Sequence, residues 1–137
     1  MSVTKGQAIA PGGESAAPNF HRMLKYEERV AARRVELEAA LEEVIRVVTG
    51  FPDVRAVYVF GSVGRGEIGP TSDLDVLIVR ETELRGARRA IDLAEATTRV
   101  VVPLDLIVVT PEEFRDRLPI SSFGRTILRD ARRVDAT

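Results

Sequence analysis

Cysteine and tryptophan are absent from this 137-residue chain, and histidine occurs once, as His21. Without cysteine there is no disulfide framework, no thiolate metal site and no thiol nucleophile. A single imidazole excludes a multi-histidine zinc centre and speaks against a His-dependent triad. Any metal would have to be a hard cation on carboxylate oxygens. Long apolar runs are missing too. None approaches the roughly 20 residues of a membrane helix, and none matches a signal-peptide core. The expectation is a cytoplasmic protein with no membrane partner. Nor is there an excess of charge: 20 basic and 21 acidic residues leave a net charge of −1. Such a balance gives no electrostatic footprint for nonspecific nucleic-acid binding. Lysine is scarce, with Lys5 and Lys25 the only two. The arginine bias fits codon usage or thermal adaptation, and it also fits a local phosphate contact.

What is present is ordinary for a globular domain: 45% hydrophobic and 30% charged residues. The length suits one domain. Residues 1–18, rich in Gly, Ala, Pro and Ser, carry no apolar period and read as a disordered tail. Residues 19–137 read as the single domain.

A first helix starts near Asn19, with fraying able to delay it to about Glu27. Its stripe is Met23, Val30, Leu37 and Val44, widened by Leu41, Ile45 and Val48, and Gly50 and Pro52 end it. Val54–Phe60 is apolar on both alternating faces, as in a central strand. The stretch GSVGRGEIGPTS, with four Gly and one Pro in twelve residues, is a loop with room for one helical turn. A second strand covers Leu74–Val79. Thr82 is placed as the cap of a helix to about Ala96, with Leu84, Ala87, Ile91 and Ala94 on one face. A third strand follows, pushed toward Leu104–Val109 by Pro103. Thr110, Pro111 and Glu113 form a capping-box start. A short helix over Ser122–Arg129 and an edge strand in ARRV complete an α/β sandwich.

Asp73 and Asp75, two apart at a strand start, share one face. The spacing alone better suits two solvated acids. Asp105 sharpens it, because it interrupts the apolar run VPLDLIVV and lies 30 residues after Asp75. That separation is one strand–helix–strand unit, which makes the second and third strands parallel and sets their starts side by side. A divalent cation would offset the repulsion of acids gathered there. A short return from the first strand places Gly61 and Ser62 beside them. Gly61 permits close backbone approach, Ser62 offers a hydroxyl, and the amides that follow favour phosphate. Arg65 adds a cation. Together these suit a polyphosphate carried by Mg²⁺.

Gly61-Ser62, ten residues, then Asp73-Leu74-Asp75 reads GS-x10-DxD. On this motif the chain resembles the minimal nucleotidyltransferases (MNT) of the DNA polymerase β superfamily, over about residues 30–118. The resemblance implies an α/β (α+β) fold of two layers, a small mixed sheet with packed helices. It implies two Mg²⁺ and a nucleoside triphosphate, ATP by family expectation. It implies Asp73, Asp75 and Asp105 as metal ligands and catalytic residues, with Gly61, Ser62, Arg65 and Ser72 on the nucleotide. Many small members are antitoxins that adenylylate a tyrosine of a HEPN-domain toxin. Gly64 departs from the pattern, since these antitoxins often carry Ala or a larger residue there, and the expectation is a more flexible loop.

Only 32 residues follow Asp105. We therefore expect a second chain to complete the acceptor site, a HEPN-type toxin offering a tyrosine. The alternatives are a small hydroxylated acceptor held in a homo-oligomer and a noncatalytic antitoxin. A dinucleotide-binding module is disfavoured, because the Gly-rich loop precedes a strand rather than a long helix.

Overall fold

The computed structural model describes residues 19–135, with side chains from Lys25 onward. The expected tail over 1–18 lies outside the described residues, as do 136–137 and the side chains of His21 and Met23. Helix α1 runs Asn19–Val48, strand β1 Val54–Phe60, helix α2 Gly61–Arg65 and strand β2 Leu74–Arg80. Helix α3 (Ile91–Ala96), strand β3 (Leu104–Val109) and helices α4 (Pro111–Asp116) and α5 (Ser122–Asp130) lead to the two-residue strand β4, Arg132–Arg133.

The sheet order is β3-β2-β1-β4. β1 pairs antiparallel with β2, and β2 pairs parallel with β3. This is the mixed sheet that the short loop and the longer crossover require. Alternation along the strands makes two apolar faces. Val57, Val59, Leu74, Val76 and Ile78 pack with Leu37, Val44 and Val48 of α1 and with Leu93 of α3. Ala56, Leu77, Val79 and Val109 pack on the other side with Ile127 of α5, together with Phe114 and Leu118. The short α4 and α5 thus add a smaller third layer to the two expected. Phe114 of α4 stacks on Tyr58 of β1 with ring centroids 5.2 Å apart.

Local chemistry sets several boundaries. β1 is β-branched and aromatic, and it stops where Gly61 adopts φ 64°. α4 begins at the expected capping box: Thr110 Oγ1 accepts from the Glu113 amide, and Glu113 accepts from the Thr110 amide, both at 3.1 Å. β4 forms where an edge strand was expected and pairs with Tyr58 and Val59.

The helix expected from Thr82 to Ala96 is corrected. Gly86 takes φ 62°, residues Gly86–Arg89 make a 3-10 turn, and only Ile91–Ala96 is α-helical. The 3-10 turn shifts the rotational phase, so the expected apolar face turns outward. Leu84 and Ile91 are 42% and 52% exposed, while Leu93 is fully buried. Thr82 Oγ1 caps a local turn instead, accepting from the Leu84 amide at 3.1 Å.

Candidate active site

Backbone register sets the acids in place. Asp75 stands directly beside Asp105 across the parallel β2–β3 pair, and beside Phe60 across the antiparallel β1–β2 pair. Register neighbours point to the same face, so Asp75, Asp105 and Phe60 share the face that α4 and α5 cover further along the strands. Asp73 lies two residues upstream of Asp75, just before β2. Asp73 and Asp105 are exposed, and Asp75 is partly buried.

The crowding of charge shows in Asp75. Its carboxyl is pushed above the ordinary aspartate value, first by burial, then by the charges of Asp105 and Asp73, while Arg65 pulls it down. Among the described residues no three acidic or imidazole side chains close on one point as a ready metal cluster. The donor set is nonetheless of the kind a hard cation takes: carboxylate oxygens on adjacent strands, facing one way, with one of them destabilised by its like-charged neighbours. Asp73, Asp75 and Asp105 are the residues that could hold such an ion.

Gly61 is fixed twice over. Its φ of 64° disfavours any side chain, and a Cβ there would collide with Asp75 Oδ2 and lie 3.2 Å from its Cγ. The backbone at the end of β1 therefore lies against the central carboxylate. From Gly61 the chain enters α2, whose first turn has no side-chain cap. The loop after α2 folds back through Glu67 N to Ser62 O at 2.8 Å. This return sets Ser62 beside Ser72. The Ser62 hydroxyl donates to Ser72 Oγ at 3.2 Å, and the Gly69 amide donates to the same oxygen at 2.8 Å.

Arg65 leans away from a purely solvated position. Its Nε donates to Glu67 Oε1 and its Nη1 to Asp130 Oδ2, each at 2.9 Å. These bonds raise its pKa, Glu67 contributing most and Asp130 next. Gly64 overturns the expectation of a flexible loop. It sits inside α2, where a Cβ would collide with the Asp130 carbonyl oxygen and lie 2.9 Å from the Val59 oxygen. Glycine here permits tight packing of α2 between β1 and the end of α5.

Thus Gly61, Ser62, Ser72, Asp73, Asp75 and Asp105 gather at one end of the sheet, and Arg65 reaches them through its field. Two neighbours carried no local signal in the sequence. Arg33 of α1 donates from Nε to the Ser72 carbonyl at 3.0 Å, across 39 residues. Asp130, 65 residues from Arg65, holds its guanidinium.

Residues 39–131 match the nucleotidyltransferase domain family, and the chain belongs to that family. Among solved structures, the chain is similar to a protein of Sulfolobus solfataricus assigned as a nucleotidyltransferase. The identity is 23% and the TM-score 0.56, with 77% of this chain and 85% of that chain covered. Two toxin–antitoxin structures are each 17% identical, with a TM-score of 0.46. One is a mutant of the MntA–HpeT pair, covering 73% of this chain and 72% of that one. The other holds AMP-PNP and covers 70% of each. No curated protein matches. Among the described residues no helix is long and apolar enough to cross a membrane.

Proposed function

We propose that this chain transfers a nucleoside monophosphate, AMP from ATP, to a hydroxyl acceptor in a Mg²⁺-dependent reaction. The observation that carries the reading is the in-register pairing of Asp75 with Asp105, with Gly61 packed against Asp75. Asp73, Asp75 and Asp105 would hold two Mg²⁺, which when bound neutralise the triphosphate and lower the pKa of the acceptor hydroxyl. Ser62, with Ser72 ordering it, contacts the outer phosphates, and Arg65 supplies a fixed positive charge beside them. The acceptor oxygen bonds to the α-phosphorus as the bond to the β-phosphate oxygen breaks. Pyrophosphate leaves, and Asp105 takes the hydroxyl proton. The chain mainly positions the reactants.

The acceptor in this reading is a tyrosine of a HEPN-type partner toxin, so the chain acts as an antitoxin. Asp73 and Asp105 are both exposed, which leaves the acceptor side open to a docked protein. The near-neutral charge favours a protein over a nucleic acid as acceptor. The test is co-expression with the product of the adjacent gene, followed by intact mass measurement. An AMP-sized gain on tyrosine that requires Asp73 and is lost with EDTA is the expected result. An unmodified partner, with efficient transfer to a purified small alcohol, moves the acceptor to that class. No transfer to any acceptor with any labelled triphosphate overturns the reading.

A further inference from the structure

Two carboxylates share the Arg65 guanidinium, and they differ in kind. Glu67 lies on the surface with its side chain 70% exposed, whereas the Asp130 side chain is 6% exposed. An exposed ion pair is worth little and exchanges readily. Asp130 is tied from several directions. Its Oδ1 accepts from Arg129 Nε at 3.2 Å, and its backbone carbonyl abuts Gly64. Just beyond it, β4 is pinned to β1. The Val134 amide donates to Val57 O at 2.9 Å, and the Val57 amide donates to Asp135 Oδ1 at 3.0 Å. Asp130 is therefore anchored to the same strand that delivers Gly61 and Ser62. Arg65 Nη2 has no hydrogen-bond partner among the described residues.

We propose that Asp130 is a positioning residue: it holds one edge of Arg65 permanently, while Glu67 occupies the place that a triphosphate oxygen takes on binding. The proposal rests on the reading of this end of the sheet as a triphosphate site. The phosphate, carrying more charge than Glu67 and able to form a charge-assisted pair with the guanidinium, displaces it. Asp130 stays, so Arg65 loses no orientation when it changes partner.

Charge alone makes the opposite statement about Asp130, and that separates the two. Removing any carboxylate near a polyanion should tighten its binding. In positioning, Glu67→Gln tightens binding and Asp130→Asn weakens it. The assay is direct binding of a fluorescent ATP analogue with Mg²⁺ to the full chain, with urea midpoints recorded for each variant. Expected are a severalfold tightening for Glu67→Gln and a weakening of about tenfold for Asp130→Asn, the size of one oriented charge-assisted contact. In an Arg65→Gln background, Asp130→Asn should weaken binding no further. A weakening that persists there comes from damage to the fold and overturns the proposal. Tightening or no change for Asp130→Asn overturns it as well. Because the readout is binding, tight triphosphate binding without any transfer refutes only the transferase reading. A wild-type chain that binds no triphosphate refutes both.

Discussion

Gly64→Ala is a small change that this fold should not tolerate. The new methyl would meet two backbone oxygens, those of Asp130 and Val59, the latter at 2.9 Å against an ordinary contact of 3.4 Å or more. Neither obstacle is a rotatable side chain, so α2 must move by at least about 0.5 Å from Val59, and by more from Asp130. Overpacking of this kind costs roughly 1–3 kcal/mol, and contacts with fixed backbone on two sides place the cost at the upper end. Alanine recovers at most about 1 kcal/mol of helix propensity over glycine. The net is a loss of about 2 kcal/mol, equivalent to a fall in Tm of roughly 6–10 °C for a domain of this size. The displacement also carries Ser62 away from Ser72, so triphosphate affinity should fall with stability. Urea unfolding and ATP-analogue binding on the same preparation check both. A Gly64→Ala protein with wild-type stability and affinity would refute the tight packing of α2 and restore the flexible-loop expectation.

Three further outcomes follow from buried groups. Asp75→Asn should abolish transfer yet stabilise the metal-free protein at neutral pH. The raised carboxyl of Asp75 means that wild-type stability falls as pH rises from the unfolded value of about 3.9 through the folded one, so the gain should vanish near pH 3, as urea midpoints at both pH values will show. Leu93→Ala should cost about 3 kcal/mol, while Ile91→Ala should change stability by under roughly 0.5 kcal/mol; equal losses would contradict the corrected face of α3. Arg80 donates to Asp53, to both oxygens of Asp92 and to the Arg89 carbonyl. Arg80→Met should cost roughly 1–2 kcal/mol, less than a fully buried pair, because Asp92 keeps much of its hydration, while Asp53, whose Oδ1 is buried without a partner, keeps less. The Arg80 hydrogen bonds hold the Asp92 carboxyl below its ordinary value, so that contribution is present above about pH 3.9 and lost as pH falls through the depressed value. Acid titration of stability should accordingly be shallower in Arg80→Met.

The parts of the fold legible in the sequence are those set by local chemistry or strict alternation. The bounds of β1, the start of β3 and the Thr110 capping box follow from residues within a few positions of one another, and the mixed pairing of three strands follows from the lengths of the two connections. The juxtaposition of Asp75 and Asp105 is legible because a parallel connection sets the strand starts side by side and both acids stand at those starts. The region after β2 departs from the pattern of its apolar repeat because one left-handed glycine, Gly86, and a 3-10 turn alter the phase of that repeat. Gly64 was visible, but its meaning was not. A glycine demanded by a neighbour 66 residues away is indistinguishable in sequence from one that loosens a loop. The Arg33–Ser72 and Arg65–Asp130 contacts are hidden for the same reason, since the partners are 39 and 65 residues apart in sequence.

The two-residue strand β4 has a consequence for the order in which the molecule assembles. β1 and β2 are joined by 13 intervening residues, so their pairing closes a short loop early, at small entropic cost. β4 meets β1 at Val59 and Arg132, 73 residues apart, and two paired positions with the Val57 bonds to Val134 and Asp135 are what offset a much longer closure. That contact belongs among the last to form and the first to open in the folded state. Amide exchange should therefore release the β4 pairing well before the β1–β2 ladder. Each such opening frees the segment beyond α5 from the edge of β1, while Ile127 keeps α5 packed on the sheet and the carboxylates on β2 and β3 keep their register.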